Sequence, residues 1–268
     1  MRWATLPSLV LVVAACTNSP SLPAHPATAH VTPGPVTESF DHHRFTVTFS
    51  AQAVERTSAD GTSLPQVVGQ ALSRINALLP GPPTTITMSY NSSRPGSQVI
   101  PQTGTDGYTD PATGDITIWF RQTPQATLSR ILQLWLPRTL SHEVDHSVRI
   151  LAGPGFGPSL LQQTISEGIS SVFDLAAFPG PQNPWDRAIS RSQECALWRQ
   201  AQPLLGDSGL YDQWMFGGDG VPHWTAFTIG YDIVTDYRQR HPEMTWSAIN
   251  AASAPTILAG SHYQPCTS

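Results

Sequence analysis

The chain has 268 residues, a formal net charge of −5 and few charged side chains, its fourteen cations all arginine. No basic patch can be assembled from them, which argues against nucleic acid as a partner. No dinucleotide fingerprint, P-loop or G-x-S-x-G elbow occurs either.

Taken in chain order, the N-terminus reads as a processing signal covering residues 1–15. Met1 and Arg2 make a minimal positive region, and Leu6 to Ala15 is too short to span a bilayer. The run Val13-Ala14-Ala15-Cys16 resembles a bacterial lipobox. That resemblance implies cleavage before Cys16, a lipid on that cysteine, and an exported protein anchored to the outer face of a bacterial cell membrane. The alternative is an ordinary secretory signal with an incidental cysteine. Residues 16–38 are rich in Ser, Thr, Pro and Ala and bury little, so they are expected to form a tether. His25 and His30 could bind stray metal but are expected to be solvated residues of that tether. Residues 39–268 leave about 230 residues, enough for one unit with a sizeable core.

Within that unit, Arg44 to Phe49 alternates apolar and polar residues as a half-buried strand does. A helix over Pro65 to Leu79 starts at a proline and stops at Pro80-Gly81-Pro82. Strands are expected at Thr85 to Tyr90 and Asp115 to Phe120, on either side of a Gly/Pro/Asp loop that would carry specificity. Helices dominate from Ala126, with Pro137 kinking or restarting one of them. Strands first and helices after predict an α+β fold, a small N-terminal sheet packed on a mainly helical C-terminal part.

The segment following Pro137 contains His142-Glu143-Val144-Asp145-His146. Residues four apart share a helix face, so His142 and His146 can offer two imidazole nitrogens to one metal ion. Glu143 lies about 100° around the helix, where it can take a proton from water beside the metal without ligating it. Leu140, Val144, Val148 and Leu151 form an apolar stripe that buries this helix. A catalytic Zn²⁺ needs three protein ligands and an open position. The metzincin solution is excluded, because Arg149 and Ala152 stand where its glycine and third histidine belong. Glu167 follows after twenty intervening residues, in an otherwise apolar helix, Thr164 to Asp174. A buried carboxylate there must be paired or metal-bound. The turn-rich Gly153-Pro-Gly-Phe-Gly-Pro158 separates the two helices, and Gly168 would let the second come close.

Together these segments resemble the gluzincins, the thermolysin-like clan of zinc metallopeptidases. A closer similarity is to a family of predicted zinc-dependent proteases without established function. It rests on Asn76 to Pro80, Asp115 to Phe120, the two metal helices and Ile229-Gly230-Tyr231-Asp-Ile-Val234, in that order. The resemblance implies a zincin-like catalytic domain over residues 39–268, with Asp115 to Phe120 as an edge strand that pairs with an extended peptide. It further implies Zn²⁺ on His142, His146 and Glu167, and Glu143 as the proton carrier. The substrate would be a peptide or protein, and the chain a monomer. One departure is Ser171, which stands where the thermolysin pattern has an aspartate orienting the first histidine. Asp174, Asp145 or a backbone carbonyl could take that part. A donor for the developing oxyanion is expected at His223 or Tyr231, while His42, His43, His241 and His262 read as surface residues.

With Cys16 lipidated, Cys195 and Cys266 remain as an even pair in an oxidising compartment. They form either a disulfide pinning the C-terminal tail to the Gln193 to Trp198 helix or two separate thiols. The functional expectation is zinc-dependent peptide hydrolysis. The alternative is a lipid-tethered binding or assembly protein that keeps a structural metal site.

Overall fold

The computed structural model describes residues 34–91 and 99–266. The signal, the Cys16 lipidation site and most of the tether lie outside them. Val36 to Glu38, read as the end of the tether, belong to the first strand, β1 (Val36–Phe40). The other strands are β2 (Phe45–Phe49), β3 (Thr84–Tyr90), β4 (Thr105–Thr109) and β5 (Ile116–Phe120). They form one mixed sheet in the order β1-β2-β3-β5-β4. Period-two alternation sends Phe45, Val47, Phe49, Ile86, Met88, Ile118 and Phe120 to one face, where all are fully buried.

One expectation changes here, the place of the edge strand. Helices α1 (Ala51–Ala59) and α2 (Leu64–Leu78) join β2 to β3, which pair in parallel. The sheet therefore contains one β-α-α-β crossover, a connection that parallel strands require. The strand expected at the edge, β5, is internal. It lies between β3 and β4, and the edge is β4, inside the stretch read as a specificity loop. Its sequence Thr-Asp-Gly-Tyr-Thr lacks an apolar alternation, so only its antiparallel pairing with β5 marks it as a strand.

A short helix α3 (Leu128–Arg130) leads into a π-helical turn over Ile131–Trp135, and α4 (Leu136–Ala152) follows at once. Pro137 sits in the first turn of α4. It has no N–H to give to a residue four back, and the turn upstream widens accordingly. Helix α5 (Leu160–Ala177) begins at Ser159, whose side chain closes a capping box with Gln162. The remaining helices are α6 (Arg191–Ala201), α7 (Tyr211–Phe216), α8 (Thr225–Arg240), α9 (Trp246–Ala251) and α10 (Ala254–Ser261). Among the described residues no helix is long and apolar enough to cross a membrane.

Leu140, Val144 and Val148 of α4 enter the core as expected, whereas Leu151 is exposed and covers Gly114 instead. Gly168 serves α8 and not α4. A Cβ on Gly168 would stand 2.2 Å from the Gly230 oxygen, and one on Gly230 would stand 2.1 Å from the Thr164 oxygen. Helices α5 and α8 thus cross backbone to backbone, and only glycine fits at either position. Cys195 on α6 is disulfide-bonded to Cys266, which fixes the C-terminal tail.

Candidate metal centre

Helices α4 and α5 run antiparallel. Arg138 meets Asp174, Asp145 meets Ser170 and His146 meets Ser166, so positions rise on one helix as they fall on the other. This brings Glu167 over the two histidines. Its Oε2 lies 3.1 Å from His142 Nε2 and 3.3 Å from His146 Nε2, and the two Nε2 atoms are 3.1 Å apart. A tetrahedral ion with ligand bonds of ~2.0–2.1 Å needs donors about 3.3 Å from one another. The triangle fits such an ion. The donor set, two imidazoles and one carboxylate, is also the chemistry that zinc accepts. Among the described residues this is the one group of three or more such side chains able to hold an ion.

All four polar groups here, Glu143 included, are buried. Burial works against a charge on His142, but Asp174, Glu167 and Glu143 around it outweigh that and hold its pKa well above the ordinary value. Burial likewise pushes Glu167 up, yet His146 and His142 pull it far below the usual carboxylate range. For Glu143 burial prevails over the two histidines and the Thr109 hydrogen bond, and its pKa is raised. Two imidazoles and one carboxylate converge here with a second carboxylate beside them, a donor set that a cation can complete.

The edge strand fixes Glu143. Thr109 Oγ1 donates to Glu143 Oε2 at 2.7 Å. A Cβ on Gly107 would stand 2.4 Å from Glu143 Oε1, so glycine is what lets the strand close on this carboxylate. Behind His146, Nδ1 lies 3.1 Å from Ser170 Oγ, which donates to Asp145 Oδ2 at 2.8 Å. Asn250 of α9 donates to Asp145 Oδ1 at 2.7 Å. A carboxylate thus orients the histidine through a serine, and it comes from inside the motif itself. Behind His142, Asp174 Oδ2 is 3.7 Å from Nδ1, a charge contact longer than a hydrogen bond. Asp174 is itself held by Arg138 and Asn183. Ser171 orients no histidine; its Oγ accepts from Trp185 Nε1 at 3.0 Å.

The centre opens into a cleft of ≈ 630 Å³. His223 lines it, with its pKa lowered by burial. Tyr231 does not line it. The Tyr231 hydroxyl accepts from Gln182, and its ring lies under Arg187, which removes it from the site. The tyrosine that does reach the centre is Tyr211 of α7, whose hydroxyl donates to Glu167 Oε1 at 3.0 Å. Burial and then Glu167 push its pKa well above the ordinary tyrosine value, so it remains a proton donor. Nothing in the six-residue Tyr211-Asp-Gln-Trp-Met-Phe216 identified it in advance, because it lies on no ligand spacing.

No curated protein matches the chain. Among solved structures, an aminopeptidase N family protein from Idiomarina loihiensis aligns with a TM-score of 0.48 at 14% identity. That alignment covers 85% of this chain and 40% of the other, so the present chain spans less than half of that protein's length. A family model described as "Predicted Zn-dependent protease (DUF2268)" matches residues 64–259, a stretch that runs from α2 into α10 and includes both metal helices. On that match, the chain belongs to this family of predicted Zn-dependent proteases.

Proposed function

We propose that this protein is a zinc metallopeptidase of gluzincin type, with His142, His146 and Glu167 as ligands. The observation that carries the reading is the triangle of ligand atoms beside an open cleft, with an uncoordinated Glu143 next to it. Zn²⁺ bound there supplies Lewis-acid polarisation of a peptide carbonyl and acidifies water. Glu143, held by Thr109 and lining the cleft, takes the proton from water and returns it to the nitrogen of the leaving amine. Tyr211, with its proton retained, is the donor we assign to the carbonyl oxygen as charge builds on it, and His223 faces the same cleft. In the same proposal, the protein is exported and held at the membrane by a lipid on Cys16, and acts as a monomer on peptides or proteins.

The absence of an aspartate at Ser171 is the feature that would favour a binding protein. Asp174, 3.7 Å from His142 Nδ1, is the carboxylate behind the first histidine, and the open cleft beside an uncoordinated Glu143 favours the enzyme.

The test is zinc content and peptide hydrolysis measured on the same preparations. Wild type is expected to hold one zinc and to cleave. Glu143→Gln should keep the zinc and lose about 10²–10⁴-fold in rate, and Tyr211→Phe should keep it and lose less. Hydrolysis that survives in Glu143→Gln would remove the mechanism.

A further inference from the structure

The metal histidines belong to a closed circuit of aromatic rings. The Trp185 indole stands edge-on to His142 at 6.2 Å between centroids, and meets Trp224 at 6.2 Å. Trp224 stacks on His223 at 4.3 Å, and His223 meets Phe216 at 6.2 Å. From Phe216 the path returns through Tyr211 at 5.7 Å and Phe156 at 5.6 Å to His146 at 5.4 Å. The two histidines close it at 4.7 Å. Every separation lies in the range of paired aromatic rings, and every one of these side chains lines the cleft.

Trp185 and the two histidines are buried, whereas the outer part of the ring is open to the cleft. Phe216 is 52% exposed and forms part of the cleft wall, where it offers an apolar face to whatever enters. Trp224 takes a left-handed backbone, φ 64°, which non-glycine residues rarely adopt, and its indole lies beside His223. The polarity of the wall is one-sided. Glu143, Glu167, Asp106 and Asp212 line the cleft, no arginine does so among the described residues, and the chain contains no lysine. A carboxylate side chain entering here would meet like charges and find no arginine or lysine to pair with.

We infer that this collar is the subsite for a bulky apolar side chain, aromatic or long aliphatic, of a peptide bound at the metal centre, and that it rejects acidic side chains. The inference rests on the peptidase reading for the identity of the guest as a peptide. Phe216 and Trp224 are its specificity-determining residues.

Binding without turnover tests it. Zinc-loaded Glu143→Gln protein is titrated calorimetrically with end-blocked tetrapeptides that differ at one residue, Phe, Leu, Ala or Glu, with zinc per mole measured on each sample. The Phe peptide is expected to bind roughly 10-fold or more tighter than the Ala peptide, the worth of one buried apolar side chain. The Leu peptide should fall between them, and the Glu peptide should bind weakest. Adding Phe216→Ala, at an exposed position that leaves the fold alone, should reduce the Phe affinity several-fold and leave the Ala affinity where it was. Equal affinity across the series, or preference for Glu, overturns the collar while a retained zinc keeps the peptidase reading. Phe still ranked above Glu in protein that fails to hold zinc supports the collar and defeats that reading.

Discussion

At the scale of single residues, the support behind His146 makes the sharpest claim. A metal-bound imidazole keeps its tautomer and direction through the hydrogen bond on its other nitrogen. Here that bond runs to Ser170, and through Ser170 to Asp145. Ser170→Ala leaves Ser166 at 3.3 Å as a poorer partner and leaves Asp145 without its serine. Zinc affinity is expected to fall about 10–100-fold, read by competition with a chelator of known strength; an unchanged affinity would contradict the relay. The convergence of His142, His146 and Glu167, with Glu143 beside them, was legible in the sequence because these residues lie at helical spacing or on the next helix. Thr109, Tyr211 and Asn250 were not. Each reaches the site from a separate part of the chain, and nothing in its own neighbourhood announces that.

At the scale of elements, the crossing of α5 and α8 sets the depth of Glu167. Gly168 is its direct neighbour, and the facing Gly230 leaves no room for a methyl group against the Thr164 oxygen. That obstacle is backbone and cannot swing aside, so Gly230→Ala must push the helices apart. Stability is expected to drop by roughly 3 kcal/mol, seen as a lower denaturant midpoint, with zinc affinity falling alongside because Glu167 moves with its helix. A midpoint equal to wild type would show that the crossing has slack. The glycine of the Gly230-Tyr231 signature is therefore the part of it with a clear duty here, and the tyrosine packs away from the cleft. Strong alternation and clear stop signals made β2, β3, β5, α2, α4 and α5 readable. Strand β4 was missed for a physical reason: at an edge over a carboxylate, glycine and threonine are useful and apolar residues are not. Its placement also displaced β5 from the edge.

At the scale of the whole molecule, a buried polar layer behind the metal helix couples stability to pH. Asp186 is fully buried, and burial together with the nearby Asp174 raises its pKa from 3.8 to about 7. The unfolded chain releases this proton first. The stabilisation from the neutral carboxyl is therefore whole below pH 3.8 and is lost progressively as pH rises to about 7. Denaturant midpoints of the zinc-loaded protein should fall across that window for this reason, and Asp186→Asn should flatten the fall; an equal slope in the variant would exclude Asp186 as its source.

The contact between Asn250 and Asp145 spans 105 positions of sequence. Arg149 of the same helix donates to the Asn250 carbonyl as well, at 2.6 Å. A polypeptide is made from its N-terminus, so all three proposed ligands leave the ribosome well before Asn250, which braces the Asp145 behind His146. The complete site is consequently a late product of biosynthesis, and a nascent or truncated chain ending before α9 carries the whole motif without the scaffold that orients it.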